Sequence, residues 1–325
     1  MTKTLKRIVA LPTVVLAITG LVACGSDNNK DKSSTSAGGS TSGVIEKNPD
    51  NAGKTITVGS KNFTEEFILG NIYAQALKAA GYKVKTQLNL GSEQIANRAV
   101  KSGQVDAYPE YTSTALTSFF KVKIADAPKD ANKAYEQAKA DYAKVGLTAL
   151  PPTPFNDAQA VGMTKKKADE LGIKTISDLK PKAKDIVFAG TPECKQRVDC
   201  LLGLQQIYGL KFKKFTPVDI AQRYKTADSG QAQLIEVFTT DGQLAGGKYV
   251  VLTDDKHIFP PYNATLVVKD SALKKAGPDL QKVVEQVQKG MTTEVMQELN
   301  SRVDIDKQEP KDVASEYLKE TGLIK

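Results

Sequence analysis

Short β-type runs alternate with amphipathic helical patterns from residue 55 to the end of the chain. The first run, Thr55–Gly59, precedes a helical pattern that ends near Gly81, and Asn62 or Thr64 can cap that helix. Tyr82–Leu90 then alternates between apolar and polar residues, as strands do. Strands that alternate with helices predict an α/β fold with largely parallel sheets, in which ligands bind beyond the carboxyl ends of the strands.

The same alternation resumes after Pro151, Pro152 and Pro154 interrupt the chain. Further strands are predicted at Ala158–Met163, Asp185–Ala189, Gln233–Phe238 and Ala264–Val268, and further helices at Arg197–Tyr208 and Val218–Ala227. Pro310 suits the first turn of a final helix. Together these elements fill residues 54–325, a length that supports one large lobe or two medium-sized lobes with cores of their own.

The start of the chain has the pattern of an export signal. Lys3, Lys6 and Arg7 precede an apolar stretch, Ile8–Val22, which is too short for a typical transmembrane helix. The stretch ends in small residues before Cys24, which resembles the lipobox of bacterial lipoproteins. This resemblance implies a signal peptide over residues 1–23 and a lipid on Cys24; the alternative is an ordinary secretory signal with an incidental cysteine.

Residues 25–53 contain Ser, Gly, Asn, Asp, Lys and Thr with almost no apolar side chains. Such a composition cannot form a core, so residues 24–53 are predicted to be a flexible tether between the lipid and the folded part. As a flexible coil, this segment would span about 30 Å. A lipid chain in a bilayer would hold the protein at the membrane surface.

The charge of the chain argues against a nucleic-acid partner. Lys and Arg exceed Asp and Glu by 8, and removing Lys3, Lys6 and Arg7 lowers the net charge to +5. The longest basic cluster, Lys165–Lys167, runs directly into Asp169 and is interpreted as a solvated helix face. Because no basic stretch is interleaved with aromatic residues, no nucleic-acid surface is predicted.

Two cysteines remain once Cys24 carries a lipid. Cys194 and Cys200 are six residues apart, and an even pair in an exported protein indicates a disulfide. A metal site is the alternative, but His257 is the only histidine, and the sequence has no CxxC or HExxH motif. We therefore predict neither a metal nor any other cofactor.

Four short blocks bring aromatic rings, lysine and small hydroxyls to turns and strand ends. They read GSKNFTEE (Gly59–Glu66), DAYPEYTSTAL (Asp106–Leu116), PFNDAQAV (Pro154–Val161) and DDKHIFPPYN (Asp254–Asn263). This mixture suits the binding of a small organic cation, because ring faces attract cations. The chain contains no GxSxG elbow and no Walker-type phosphate loop, so it is predicted to be neither a hydrolase of that type nor an ATPase.

From residue 55 to 325, these blocks resemble the substrate-binding proteins of ABC transporters for glycine betaine, choline and related osmoprotectants. The resemblance implies a two-lobe α/β fold, the type II periplasmic-binding-protein fold, with two hinge crossings. Lobe 1 is expected at 54–157 plus 260–325, and lobe 2 at 158–259. The ligand would lie between the lobes, in a box of aromatic rings.

The resemblance also implies roles for individual residues. Tyr111 and Tyr262 would be walls of the box, and Asp157 would border it. The residues expected to hold a ligand carboxylate or to close the lobes are Lys61, Thr114 and Arg197. Arg197 has a structural alternative, a pair with Glu193 or Asp199.

The chain departs from the family pattern at two positions. Gln159 and Phe238 stand where wall tyrosines are common; Phe238 keeps a ring face, whereas Gln159 does not. One missing wall would cost about 1 kcal/mol, roughly fivefold in affinity. Alternatively, Gln159 recognises a different ligand by hydrogen bonding. Because Thr114 could donate to a carboxylate, the sequence favours a betaine-like zwitterion over choline.

The resulting hypothesis is a monomeric, lipid-anchored receptor on the extracytoplasmic face of the cell membrane. It would deliver its ligand to a transmembrane permease and, through that permease, depend on a cytoplasmic ATPase. The alternatives are transport of a non-quaternary ligand, an extracellular enzyme on the same fold, and a surface sensor. The sequence separates the sensor poorly from the transport receptor.

Overall fold

The computed structural model describes residues 43–325, whose strands form two five-stranded sheets. The strands are β1 (Thr55–Gly59), β2 (Lys83–Gln87), β3 (Ala107–Tyr111), β4 (Leu147–Ala149), β5 (Gln159–Thr164), β6 (Val187–Gly190), β7 (Lys214–Pro217), β8 (Leu234–Phe238), β9 (Tyr249–Val251) and β10 (Ala264–Lys269). The first sheet has the order β2-β1-β3-β10-β4 and the second β7-β6-β8-β5-β9. We call the parts built around them lobe 1 and lobe 2.

Eleven α-helices in the described part of the chain surround these sheets. They are α1 (Thr64–Ala79), α2 (Glu93–Ser102), α3 (Thr112–Ser118), α4 (Ala131–Ala143), α5 (Lys165–Leu171), α6 (Leu201–Gln206), α7 (Arg223–Asp228), α8 (Asp270–Ala276), α9 (Asp279–Gln288), α10 (Thr293–Asp304) and α11 (Pro310–Glu320). Pro310 occupies the first turn of α11, as predicted. No helix between residues 43 and 325 combines the length and apolar character needed to cross a bilayer.

Both sheets are mixed, so the prediction of largely parallel sheets is only partly right. β1 runs parallel to β2 and β3, whereas β10 runs antiparallel to β3 and β4. In the second sheet β6 runs parallel to β7 and β8, whereas β5 runs antiparallel to β8 and β9. β5 and β10 are the strands by which the chain enters each lobe from the other, and both run opposite to the parallel strands.

The chain passes between the lobes twice, after β4 and after β9. The two crossings lie side by side, because Asn156 and Asn263 form an isolated β-bridge and the Asp157 N–H donates to the Tyr262 carbonyl at 3.1 Å. This pairing joins the end of β3 and the start of β10 in lobe 1 to the start of β5 in lobe 2. Hinges consist of a few loop or element-terminal residues, and these two crossings are segments of that kind.

The first helix begins differently from the prediction. Phe63 is the N-cap of α1 and supplies no side-chain cap, while the Thr64 hydroxyl donates to Asp304 at 2.6 Å. Neither Asn62 nor Thr64 therefore caps the helix. The first turn instead places Glu65 and Glu66 in the interior, where both are buried.

Residues 45–53 belong to the folded part, which corrects the predicted end of the tether. Ile45 is buried and its N–H donates to the Leu323 carbonyl at 2.8 Å. Asn51 is buried and its Nδ2 donates to the Ala80 carbonyl at 2.9 Å. A polar composition does not prevent a segment from packing when its amides find partners on a preformed surface. Residues 1–42, with the predicted signal peptide and Cys24, lie outside the described residues.

Cys194 and Cys200 form a disulfide, with their Cα atoms 5.2 Å apart. Within the closed loop Arg197 has an extended conformation, and the following helix begins only at Leu201. The helix predicted over Arg197–Tyr208 is therefore much shorter. The helix predicted over Val218–Ala227 likewise divides into a 3-10 turn, Ile220–Gln222, followed by α7.

Candidate functional site

A cavity of about 300 Å³ lies between the lobes, beside the first crossing. Lobe 1 contributes Phe63 and Glu65 from the start of α1 and Asn300 from α10. Lobe 2 contributes Phe238 from the end of β8, and the crossing contributes Asp157. Aromatic rings, carboxylates and amides from both lobes therefore line the cavity.

Two of the lining carboxylates, Glu65 and Asp157, form no ion pair among residues 43–325. Glu65 accepts hydrogen bonds from the Tyr111 hydroxyl at 2.6 Å and from Asn300 Nδ2 at 2.9 Å. Asp157 accepts one from the Thr240 hydroxyl at 2.8 Å. Burial raises the pKa of both groups, because the charged form loses its hydration. A cation in the cavity would stabilise the ionised carboxylates.

The buried Arg223 forms an ion pair with the partly buried Asp241 at the lobe 2 side of the cavity. Arg223 donates to Asp241 at 2.9 Å, and its guanidinium carbon lies 4.6 Å from the centroid of the Phe238 ring. Asp241 also accepts from the Tyr224 hydroxyl at 2.7 Å. These contacts hold the Phe238 ring in place and neutralise the charge of Asp241.

Of the eight predicted ligand-binding residues, Asp157 and Phe238 line this cavity. Tyr111 lies directly behind it, since its hydroxyl bonds Glu65 and its ring stacks on Phe63 with the centroids 6.2 Å apart. The other five, Lys61, Thr114, Gln159, Arg197 and Tyr262, are not among the lining residues.

Lys61 is neutralised by carboxylates of its own lobe. Its Nζ lies 2.6 Å from Glu110 and 3.5 Å from Glu66, and the side chain is 4% exposed. The same ammonium lies 4.2 Å from the centroid of the Tyr111 ring. Burial raises the pKa of Glu66 to about 8. The Lys61 ammonium thus already contacts a ring face and two carboxylates, so it is not available to a ligand carboxylate.

Arg197 and Tyr262 meet at one carboxylate. Arg197 Nε donates to Asp199 at 2.8 Å, and the Tyr262 hydroxyl also donates to Asp199. Burial alone would raise the pKa of Asp199, but its bond with Arg197 lowers it below the usual value. The structural alternative considered for Arg197, a pair with Asp199, is present, and it links the disulfide loop to the second crossing.

Gln159 and Thr114 lie apart from the cavity lining. Gln159 pairs with Phe238 across neighbouring strands, and its Nε2 donates to the buried Glu236 at 3.1 Å. Thr114 lies on α3 and is only partly buried. The preference for a zwitterion relied on Thr114 as a carboxylate donor, and its position in the structure gives that preference no support.

Sequence reasoning missed Glu65 and Asn300 as site residues. Glu65 has the position of an ordinary carboxylate in the first turn of a helix, yet it shares the buried face of α1 with Ile68 and Leu69. Asn300 shares the buried face of α10 with Met296. A polar residue on the apolar face of a helix could have indicated both positions, because a buried polar group needs a hydrogen-bond partner or a ligand.

Two α/β lobes with adjacent crossings and a lined cavity between them define a two-lobe solute-binding protein. The family model for the substrate-binding domain of ABC-type glycine betaine transport systems matches residues 54–320, so the chain belongs to this family. The protein is thus the substrate-binding component of an ABC-type transport system. Membership confirms the predicted family and the prediction that the chain is not an enzyme.

Individual relatives and solved structures agree with this membership. A glycine-betaine-binding protein of Pseudomonas aeruginosa is 35% identical over 283 residues, covering 83% of this chain and 89% of that protein. An ergothioneine transport permease/ergothioneine binding protein of Helicobacter pylori is 31% identical, covering 83% of this chain and 48% of that protein. A crystal structure of a glycine betaine/carnitine/choline ABC transporter superposes with a TM-score of 0.73 at 27% identity, covering 82% of this chain and 98% of that one. The predicted two-lobe α/β fold is confirmed.

Proposed function

We propose that this protein captures a quaternary-amine solute outside the membrane and delivers it to the permease of an ABC importer. The observation that carries the proposal is the composition of the cavity between the lobes. Glu65 and Asp157 supply negative charge without basic partners among residues 43–325, and Phe63 and Phe238 supply ring faces. A methylated ammonium has no N–H to donate, so ring faces and carboxylates are the groups that can bind it.

The names of the similar proteins support the same class of ligand. Glycine betaine, carnitine, choline and ergothioneine all appear in them, and each of these molecules carries a trimethylammonium group. The cationic group is what they share, while their remaining parts differ in charge and in hydrogen-bonding groups. The proposal for this chain is therefore the quaternary-amine class.

Lobe closure would couple binding to delivery. We propose lobe limits of 54–157 plus 260–325 for lobe 1 and 158–259 for lobe 2, with the crossings as the hinge. Binding would favour the closed form, because only that form brings both lobes against the ligand. Tyr111 would act through Glu65, and Tyr262 and Arg197 through Asp199, while Lys61, Thr114 and Gln159 would shape the surroundings of the site.

The start of the sequence and the family together support a proposal for the membrane-side partners. Cleavage before Cys24 and a lipid on its sulfur would hold a monomeric receptor on the extracytoplasmic face of the membrane. The transmembrane permease would receive the ligand there, and an ATPase on the cytoplasmic side would drive its import. Mass spectrometry of Cys24 in membrane fractions would test the lipid, and light scattering of the soluble chain would test the monomer.

Calorimetric titration tests the binding proposal. The exported chain from residue 24, with Cys24→Ser to keep it soluble, is titrated with glycine betaine, proline betaine, carnitine, choline and ergothioneine. We expect at least one micromolar or tighter ligand. We expect Phe63→Leu and Phe238→Leu each to weaken that ligand about fivefold, because each removes one cation–π contact of about 1 kcal/mol.

Phe212→Leu is the matched control, since Phe212 is partly buried in lobe 2 and does not line the cavity. Its binding constant is expected to equal that of the unsubstituted chain. Absence of heat with every compound, from a protein whose circular dichroism shows it folded, would refute the quaternary-amine proposal.

A further inference from the structure

We propose that the cavity between the lobes selects a ligand with a net positive charge and a hydrogen-bond donor over a zwitterion that has no donor. The inference rests on the proposed quaternary-amine function and makes it more specific. Among simple trimethylammonium compounds, choline has both properties and glycine betaine has neither. Three features of the described residues lead to this preference.

The first feature is that the predicted carboxylate-binding cations are already paired. Lys61 contacts Glu110 at 2.6 Å and Glu66 at 3.5 Å. Arg197 donates to Asp199 at 2.8 Å. A ligand carboxylate would have to displace one of these carboxylates, and breaking a buried ion pair leaves a charge without compensation.

The cations that do line the cavity offer no better position. All three guanidinium nitrogens of Arg223 donate, to the Ile220 carbonyl, the Glu236 carbonyl and Asp241. Lys307 is exposed at the rim, and its Nζ donates to the Asp304 carbonyl at 2.6 Å. Solvent and salt screen an exposed charge of this kind. The described residues therefore provide no buried, free cation for a ligand carboxylate in the cavity.

The second feature is an excess of negative charge. Glu65 and Asp157 both line the cavity, and neither forms an ion pair within residues 43–325. Their existing partners are the neutral groups of Tyr111, Asn300 and Thr240. A monocation compensates this charge, whereas a zwitterion brings its own carboxylate into the same small volume, where like charges repel.

The third feature is an unsatisfied acceptor on a cavity-lining side chain. Asn300 is 4% exposed, and its Nδ2 donates to Glu65 at 2.9 Å and to the Thr240 carbonyl at 2.8 Å. Because both partners are acceptors, the orientation of the amide is fixed. Its Oδ1 is buried and has no hydrogen-bond partner in the described part of the chain. A ligand hydroxyl or N–H would satisfy this oxygen, which a trimethylammonium group and a carboxylate cannot do.

Four ligands separate charge from donor capacity. Choline is a cation with a hydroxyl, tetramethylammonium is a cation without a donor, carnitine is a zwitterion with a hydroxyl, and glycine betaine is a zwitterion without a donor. Calorimetric titration of the soluble chain with each is expected to give choline the lowest Kd, at least tenfold below that of glycine betaine, with the other two between them.

Two variants test which residue causes each preference, Asp157 for the positive charge and Asn300 for the hydrogen-bond donor. Asp157→Asn is expected to weaken choline and tetramethylammonium by at least tenfold and carnitine by less, whereas the exposed Asp185→Asn changes none of them. Asn300→Ala is expected to bring the Kd values of choline and tetramethylammonium within about twofold of each other. Gln297→Ala is its control, because Gln297 also bonds across the lobes, to the Thr239 carbonyl at 2.8 Å, without lining the cavity.

The outcomes distinguish a failure of the ligand selectivity from a failure of the proposed function. Glycine betaine binding as tightly as choline or more tightly, in a protein that binds quaternary amines, would overturn the selectivity proposed here and leave the proposed function intact. If none of the four ligands binds to the folded protein, the proposed function is overturned and the selectivity with it. An unchanged choline-to-tetramethylammonium ratio in a folded Asn300→Ala variant would refute the assigned role of Asn300.

Discussion

Gln159 has a structural contact that its sequence position does not reveal. It stands where the family often has a wall tyrosine, and the missing ring suggested that Gln159→Tyr would improve binding. In the structure its Nε2 donates to Glu236, whose carboxylate is fully buried. We expect Gln159→Tyr to lower the free energy of unfolding by about 1–3 kcal/mol, because a buried acceptor loses a donor. Chemical denaturation measures this change.

A double variant is the control for that prediction. Gln159→Tyr combined with Glu236→Gln should recover part of the loss, since an amide at position 236 carries no charge that needs a donor. A stable Gln159→Tyr variant that bound betaine more tightly would contradict this account and favour the missing-wall interpretation.

At the level of elements, α10 joins the lobes through a close backbone approach. Gly242 lies at the start of the 3-10 turn Gly242–Leu244 of lobe 2, and a Cβ there would come within 2.4 Å of the Ser301 nitrogen. We expect Gly242→Ala to lower the free energy of unfolding by about 1–3 kcal/mol, because neither backbone can yield without separating the elements. Thermal unfolding tests this expectation.

Gly246→Ala is the matched substitution, since a Cβ at Gly246 would meet nothing within 4 Å. It should leave the melting temperature close to that of the parent chain. Equal melting temperatures for the two variants would mean that the contact between α10 and the turn can move apart without cost.

The elements also show what sequence patterns can and cannot predict. The sequence predicts β1 from its β-branched residues and β8 from its mostly apolar residues. The antiparallel entry of β5 and β10 was missed, because direction within a sheet depends on partners distant in sequence. The family resemblance points to Asp157 and Phe238, which line the cavity, whereas Glu65 and Asn300 required knowledge of which helix faces meet between the lobes.

For the whole molecule, buried carboxyl groups predict how stability changes with pH. Burial raises the pKa of Glu66 from 4.5 to about 8, so the folded state binds this proton more tightly than the unfolded state does. The corresponding stabilisation is complete below about pH 4.5 and is lost as the pH rises to about 8. Burial also raises the pKa values of Glu65, Glu110, Asp157 and Glu236, which act in the same direction. A cation bound in the cavity would lower the pKa values of Glu65 and Asp157 again and favour their ionised forms.

We therefore expect the melting temperature to fall between pH 5 and pH 8, and Glu66→Gln to reduce that fall. A pKa difference of one between the two states corresponds to about 1.4 kcal/mol. Scanning calorimetry across this range, with the exposed Glu136→Gln as control, makes the comparison. A Glu66→Gln variant whose melting temperature falls as steeply as that of the parent chain would contradict the prediction.

The packing of residues 45–53 determines which lobe the N-terminal segment is attached to. Ile45 and Asn51 fasten the start of the described chain to lobe 1, next to Leu323 and Ala80. A lipid on Cys24 would therefore fix the attachment point on lobe 1 alone. Opening and closing would then change the position of lobe 2 relative to the lobe that carries the proposed attachment.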